Sequence, residues 1–172
     1  RQKHSPMIHL CPEVKRMTHL KKIGLGLIIL GALFLTGCTT KEQNIEGSLE
    51  EIMTKLYEGI SEEELPMMLG NIELTSENIE NYVGTSDIDF KEAIASESAV
   101  GSIAHSVVLI RLNDASKANE TVTKIEENAN PGKWICVVAD DVIVKSKGDL
   151  VILIMSNEEL APRLDANFEG LE

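Results

Sequence analysis

The chain has little of several things, and each shortage closes off a class of protein. Aromatic residues make up 3%, with one Trp, two Tyr and three Phe, so any core must be built from aliphatic side chains. Three cysteines in 172 residues exclude a disulfide-built scaffold. Positive charge is short as well: 16 Lys and Arg stand against 28 Asp and Glu, a net charge of −12. No basic surface is left over to meet phosphates, which argues against nucleic acid as a partner. Cys-x-x-Cys pairs, phosphate-cradling glycine loops and nucleophile elbows do not occur in the sequence. With 43% apolar residues the chain is too hydrophobic to be disordered. Its length suits one domain.

The charge is unevenly spread. Residues 1–37 carry a net +5 and residues 38–172 a net −17. From Met17 the order is a basic stretch with Lys21 and Lys22, an apolar run from Ile23 to Leu35, then Leu35-Thr36-Gly37-Cys38. A basic n-region before an apolar h-region is a secretory signal. The run of 13 residues is short of the roughly 20 needed to cross a bilayer. Leu35-Thr36-Gly37-Cys38 resembles the lipobox of bacterial lipoproteins. That likeness implies cleavage between Gly37 and Cys38, a diacylglyceryl group on the Cys38 sulfur, and anchoring at the outer face of the cytoplasmic membrane. Residues 1–16 precede an already complete signal, so they are read as an upstream extension, with Met17 as the start. The expected organisation is 1–16 extension, 17–37 signal peptide, 38–44 polar stalk and 45–172 a single globular domain.

Within that domain, Ile45, Leu49, Ile52, Met53, Leu56 and Ile60 form one helical stripe. Ser48 with Glu51 makes a capping box. Ser61 to Glu64 reads as a second short helix stopped near Pro66 and Gly70, and Thr75 to Tyr82 as a helical turn before Gly84. Asp87 to Glu97 is ambiguous between strand and helix. Ile103 to Leu112 is a strand apolar on both faces, hence central. Its faces are Ile103, His105, Val107, Leu109 and Arg111 on one side, and Ala104, Ser106, Val108, Ile110 and Leu112 on the other. Asp114 caps a helix ending at Asn130-Pro131-Gly132. Strands are predicted at Trp134–Ala139, Val142–Lys147 and Leu150–Met155, the second an edge and the third a centre strand. Lys147-Gly148-Asp149 turns the last two into a hairpin. Ser156 with Glu159 boxes a final helix striped by Leu160, Leu164 and Phe168. The predicted class is α+β: a mostly antiparallel sheet of about five strands with helices packed on it, the N-terminal helices forming a second layer.

Chemistry is harder to find. With Cys38 acylated and Cys11 removed, Cys136 is the one thiol left, and its apolar surroundings predict a buried core residue. His105 is the one histidine left after cleavage, so a metal site built on histidines is excluded. A lone strand histidine reads first as a satisfied core or edge residue. His105 and Arg111 share a strand face about 20 Å apart at strand rise, too far to grip one small group. Asp87-Ile88-Asp89 and Asp140-Asp141 carry calcium-type oxygens but lack the glycine and closing glutamate of an EF-hand loop. Trp134 reads as packing ahead of a ligand platform. No cofactor is implied.

Three stretches together resemble a known group: Ile103-Ala104-His105-Ser106-Val107-Val108-Leu109-Ile110-Arg111, Lys133-Trp134-Ile135-Cys136-Val137 and Gly148-Asp149-Leu150-Val151. They are similar to the uncharacterised bacterial lipoproteins grouped as domain of unknown function 4358, over roughly Leu49 to Phe168. The resemblance implies an extracytoplasmic domain of a Gram-positive anaerobe and brings no activity or cofactor. Ser98 stands where a proline is expected, so the loop into the central strand differs. The expected function is a membrane-tethered, non-catalytic module that meets an envelope protein or small ligand. Its binding face would be the one holding His105 and Arg111, with Trp134, or the loops near Ser96–Ser102. The alternative is a small envelope hydrolase using Cys136 or Ser106 with His105.

Overall fold

The computed structural model describes residues 44–172. The signal, Cys38 and nearly all of the stalk lie outside the described residues. Among the described residues no helix is long and apolar enough to cross a membrane.

Ser48 opens helix α1 (Leu49–Leu56) with the reciprocal box: Glu51 N–H donates to Ser48 Oγ at 3.2 Å, and Ser48 N–H donates to Glu51 Oε2 at 3.0 Å. The stripe Leu49, Ile52, Met53 and Leu56 is buried, so this acidic helix packs on its own domain. The helix ends are satisfied from across the fold. Asn167 Nδ2 donates to the carbonyls of Leu56 and Glu58, and Arg163 donates to that of Gly59. The Leu56 carbonyl is one of the orphan acceptors a helix C-terminus leaves, and those of Glu58 and Gly59 belong to the turn that follows.

Five strands form one antiparallel sheet: β1 (Leu69–Leu74), β2 (Phe90–Ser98), β3 (Ser106–Leu112), β4 (Asp141–Lys147) and β5 (Leu150–Ser156), in the order β1-β2-β3-β5-β4. β3 is therefore central and β4 an edge, as their patterns require. β5 is fully buried from Leu150 to Ser156, because both of its faces are covered. Leu150, Ile152 and Ile154 join Val107 and Leu109 in one core, beneath α1 and α4 (Ala161–Glu169). Val151, Leu153 and Met155 join Val108 and Ile110 in a second core, beneath α2 (Glu80–Val83) and α3 (Ala118–Asn128). Each fully buried aliphatic side chain contributes about 1.5–3 kcal/mol. The β4–β5 hairpin turns on Gly148 at φ 60°, a value glycine adopts without strain.

The α+β class and five-strand antiparallel sheet are as expected, but one of the five strands is different. Residues 134–139 are not a strand: they run irregularly across one end of the sheet. Their place in the sheet is taken by β1, where Pro66 and Gly70 suggested only a helix stop. β1 is exposed except at Leu74 and half-exposed Leu69, so no run of apolar residues announces it. The ambiguous Asp87–Glu97 stretch resolves as β2, with its pairing interrupted between Phe90 and Glu92. Ser61 to Glu64 is a turn closed by the Glu64 carboxylate, which accepts from Ser61 N–H and Oγ–H. Asn157, not Ser156, caps the last helical segment, its Oδ1 accepting from Leu160 N–H at 2.8 Å. The helices also divide differently. α1 pairs with C-terminal α4 on one face, while α2 lies with α3 on the other, giving helices on both sides of the sheet.

Candidate functional site

β3 alternates its side chains between the two cores, and this decides what each predicted site residue can do. His105 faces α1 and is 1% exposed. Tyr57 Oη lies 2.8 Å from its Nε2 and Ser156 Oγ lies 2.8 Å from its Nδ1, while Tyr57 also donates to Ser96 at 3.2 Å. The set closes when His105 Nε2–H donates to Tyr57, Tyr57 to Ser96, and Ser156 to Nδ1. Burial pushes the His105 pKa down to about 4 and the Tyr57 hydroxyl up to about 12. Both are neutral at pH 7. With Ser156 and Ser96 also buried, this is a satisfied interior network.

Arg111 faces the same side at the other end of β3. Its Nε donates to Glu92 at 2.8 Å, and Nη1 and Nη2 donate at 2.9 Å to the carbonyls of Ile45 and Gly47. Asp149 lies 3.4 Å from Nη1. The guanidinium thus clamps the first residues of the domain to the sheet. Neither His105 nor Arg111 offers an accessible binding face, because α1 and the segment before it cover both.

Ser106 faces the opposite side from His105, so the two do not form a catalytic pair. Ser106 Oγ sits 3.4 Å from both Glu97 Oε2 and Lys133 Nζ and is fully buried. Cys136, expected in the core, is exposed and has φ 61°. It turns outward because Lys133 and Trp134, just before it, turn in. Glu97 takes both. Lys133 Nζ lies 2.9 Å from its Oε2, and Trp134 Nε1–H donates to its Oε1 at 3.1 Å. The Lys133 ammonium also stands over Tyr82 and Trp134, 4.7 and 5.1 Å from the ring centroids, an electrostatically favourable placement. Burial lowers the Lys133 pKa despite the Glu97 carboxylate. Burial, and then the Glu97 charge, raise that of Tyr82. Trp134 is therefore a half-buried strut. The carboxylates of Asp87 and Asp89, which lack an EF-hand pattern in the sequence, are engaged by Lys124 and Asn113 respectively.

This cluster fixes an apolar rim at the end of the sheet where β3 begins. Met67, Met68, Ile135 and Val138 are 70%, 69%, 70% and 63% exposed. Their segments are tied together. Ala99 N–H donates to Met68 C=O, Ser98 Oγ–H to Met67 C=O and Ile135 N–H to Gly101 C=O. Ser98, standing where a proline was expected, is one of these ties. Met68 at φ 54° and Cys136 at φ 61° are the two non-glycine residues with positive φ among the described residues. Each costs on the order of 1–2 kcal/mol in that conformation. Strain of this kind collects where side chains are held for a purpose other than packing. Pro66-Met67-Met68, two apolar residues in a turn, is the trace this rim leaves in the sequence. Ile135 and Val138 were hidden because an apolar run reads as core. No family model, curated protein or solved structure matches this chain.

Proposed function

We propose that this protein is a lipid-anchored interaction module of the bacterial cell envelope, tethered through Cys38 at the outer face of the cytoplasmic membrane. The observation that carries the binding part is the rim: four large apolar side chains exposed on a braced and strained frame. Their segments meet at one end of the sheet, exposed apolar side chains of this size suit an interaction site, and methionine adapts to varied partners. The tether rests on the ordered signal ending in Leu35-Thr36-Gly37-Cys38 and on the resemblance to uncharacterised lipoproteins. The domain's first residues are held at the Arg111 end of β3, whereas the rim lies at the Ser106 end.

Intact mass of the membrane-extracted protein, with Cys38→Ala as control, tests the tether. A species beginning at Cys38 with added acyl mass, absent in the control, is the expected result. An unmodified chain retaining Ile23 to Leu35 would overturn it. A photo-crosslinking residue at Val138, compared with one at Glu63, tests the rim in cells. A discrete adduct at Val138 alone is expected; equal labelling at both positions would remove the rim from the reading.

A further inference from the structure

The two edges of the sheet are treated very differently. β4 carries Lys145 and Lys147, whose ammonium groups are tied to Asp165, Glu169 and the carbonyls of Glu169 and Leu171. Lysines along an edge, with a helix fastened beside it, discourage further strand pairing. β1 reads Leu-Gly-Asn-Ile-Glu-Leu, with no Lys, Arg or Pro to guard it.

The phase of the β1–β2 ladder shows what β1 leaves open. Ala99 N–H donates to Met68 C=O at 3.1 Å, so Met68 and Ala99 are a hydrogen-bonded pair. Alternation then places Gly70, Ile72 and Leu74 in the bonds to β2. Leu69, Asn71 and Glu73 turn their backbone groups outward. The Glu73 carbonyl is taken by Asn78 Nδ2 at 3.3 Å. The N–H and C=O of Leu69 and Asn71 have no partner among the described residues.

Grooves flank β1 on both faces. One, of about 580 Å³, is lined by Met68, Ile72, Asn78 and Tyr82; the other, of about 500 Å³, by Leu49, Asn71 and Glu73. A strand laid along β1 would drop alternate side chains into each. The setting carries more acid than base: Glu50, Glu73, Glu92 and Glu97 line the two grooves against Lys91 and Lys133. Glu50 and Glu73, both lining the second groove, have no cationic partner among the described residues. Lys91 also lines that groove, and the span 38–172 carries a net −17.

We propose that the β1 edge is a strand-addition site for an extended, basic and apolar segment of a partner protein. Backbone hydrogen bonds to Leu69 and Asn71 would supply the pairing, the first groove would take the apolar side chains of one face, and Glu50 and Glu73 on the other face would select Lys or Arg. A second copy of this chain fits less well, because it would bring its own unpaired Glu50 and Glu73 to the same edge. The proposal rests on the interaction reading and names the partner's chemistry.

The test uses the full-length protein in a neutral detergent and a capped octapeptide alternating lysine and valine. Comparators are a glutamate–valine version and one N-methylated on every backbone nitrogen. Asn71→Pro removes an outward N–H that β2 does not use, a position where an edge strand tolerates proline. Ile72→Lys adds an edge guard at a residue already 38% exposed, so one variant remains informative if the other folds poorly. The lysine–valine peptide should slow exchange of the Leu69 and Asn71 amides, with binding weakened about tenfold or more in both variants and for both comparators. No binding, or binding that neither variant weakens, would overturn the proposal. A concentration-dependent dimer abolished by both variants would give the edge to a second copy instead. Equal crosslinking at Val138 and Glu63 would remove the rim, and an unmodified Cys38 the tether, and either would leave this result standing, so the failures are separable.

Discussion

Two polar clusters near the start of β3, one on each face of the sheet, are built in opposite ways. Beneath α1 and α4, Tyr57, His105, Ser96 and Ser156 form a neutral network. Beneath α2, Glu97, Lys133 and Trp134 form a charged one at the border with solvent. The first lies between regular elements and bonds to its own core. The second lies where an irregular segment crosses the sheet end, and it braces exposed apolar side chains. Around His105 the titratable groups stay uncharged, whereas charged groups act as fasteners, Arg111 for the domain's first residues and Glu97 with Lys133 for the loop. That contrast leaves the domain's histidine an interior residue, while exposed apolar side chains lie at the rim.

Four substitutions or conditions sharpen the comparison, taken from the largest expected effect downward. Gly84 sits at φ 82°, and a Cβ there would stand 1.9 Å from the Asn128 carbonyl oxygen. Gly84→Ala should therefore pry α2 from α3 and cost about 4 kcal/mol or more in chemical denaturation. A loss below 1 kcal/mol would show that the α2 side is as pliable as its border. On the other face, Arg111→Ala leaves two backbone carbonyls and Glu92 without their donor and should cost about 3 kcal/mol. Arg111→Lys should recover little, since an ammonium cannot fork between them.

The third is a pH effect. His105 is held near pKa 4 in the fold, against 6.5 for the free side chain. As pH falls through 6.5 the unfolded chain takes up a proton that the folded chain refuses, so stability drops until pH reaches about 4 and is full above 6.5. The expected loss is about 3 kcal/mol across that window. Urea midpoints at pH 7 and pH 4.5 measure it, and His105→Gln should flatten the difference. A wild-type slope unchanged by that substitution would assign the loss to carboxylates elsewhere. The smallest effect has the opposite sign: Cys136→Gly relieves a left-handed residue at the rim and should stabilise by up to about 1 kcal/mol. Rapid alkylation of Cys136 in the native protein, with no change in melting temperature, should accompany it; an unreactive thiol would mean that the loop is closed over it.

Particular residues show how much was legible beforehand. The Ser48–Glu51 box, the alternate faces of Ser106–Leu112, and the edge and centre roles of β4 and β5 all follow from period and capping chemistry, which act within a few residues. β1 was not legible because an exposed edge strand has no apolar alternation to betray it. The Trp134–Ala139 stretch misled for the converse reason: apolar residues held outward look the same in sequence as those facing a core. The spacing of Ser156 to Glu159 fits a cap, whereas the tertiary structure places Ser156 opposite His105.

The sequence alone determined the α+β class, the acidic surface, the capped first helix and the central apolar strands. Those depend on local periodicity and on the sign of charge. The tertiary structure decided that His105 is an interior residue, that Arg111 clamps the domain's first residues, that Cys136 faces solvent, and that β1 is an open edge beside an apolar rim. Each of those depends on which distant segment lies opposite, and contact across 39 to 66 residues of chain is settled only when the sheet closes.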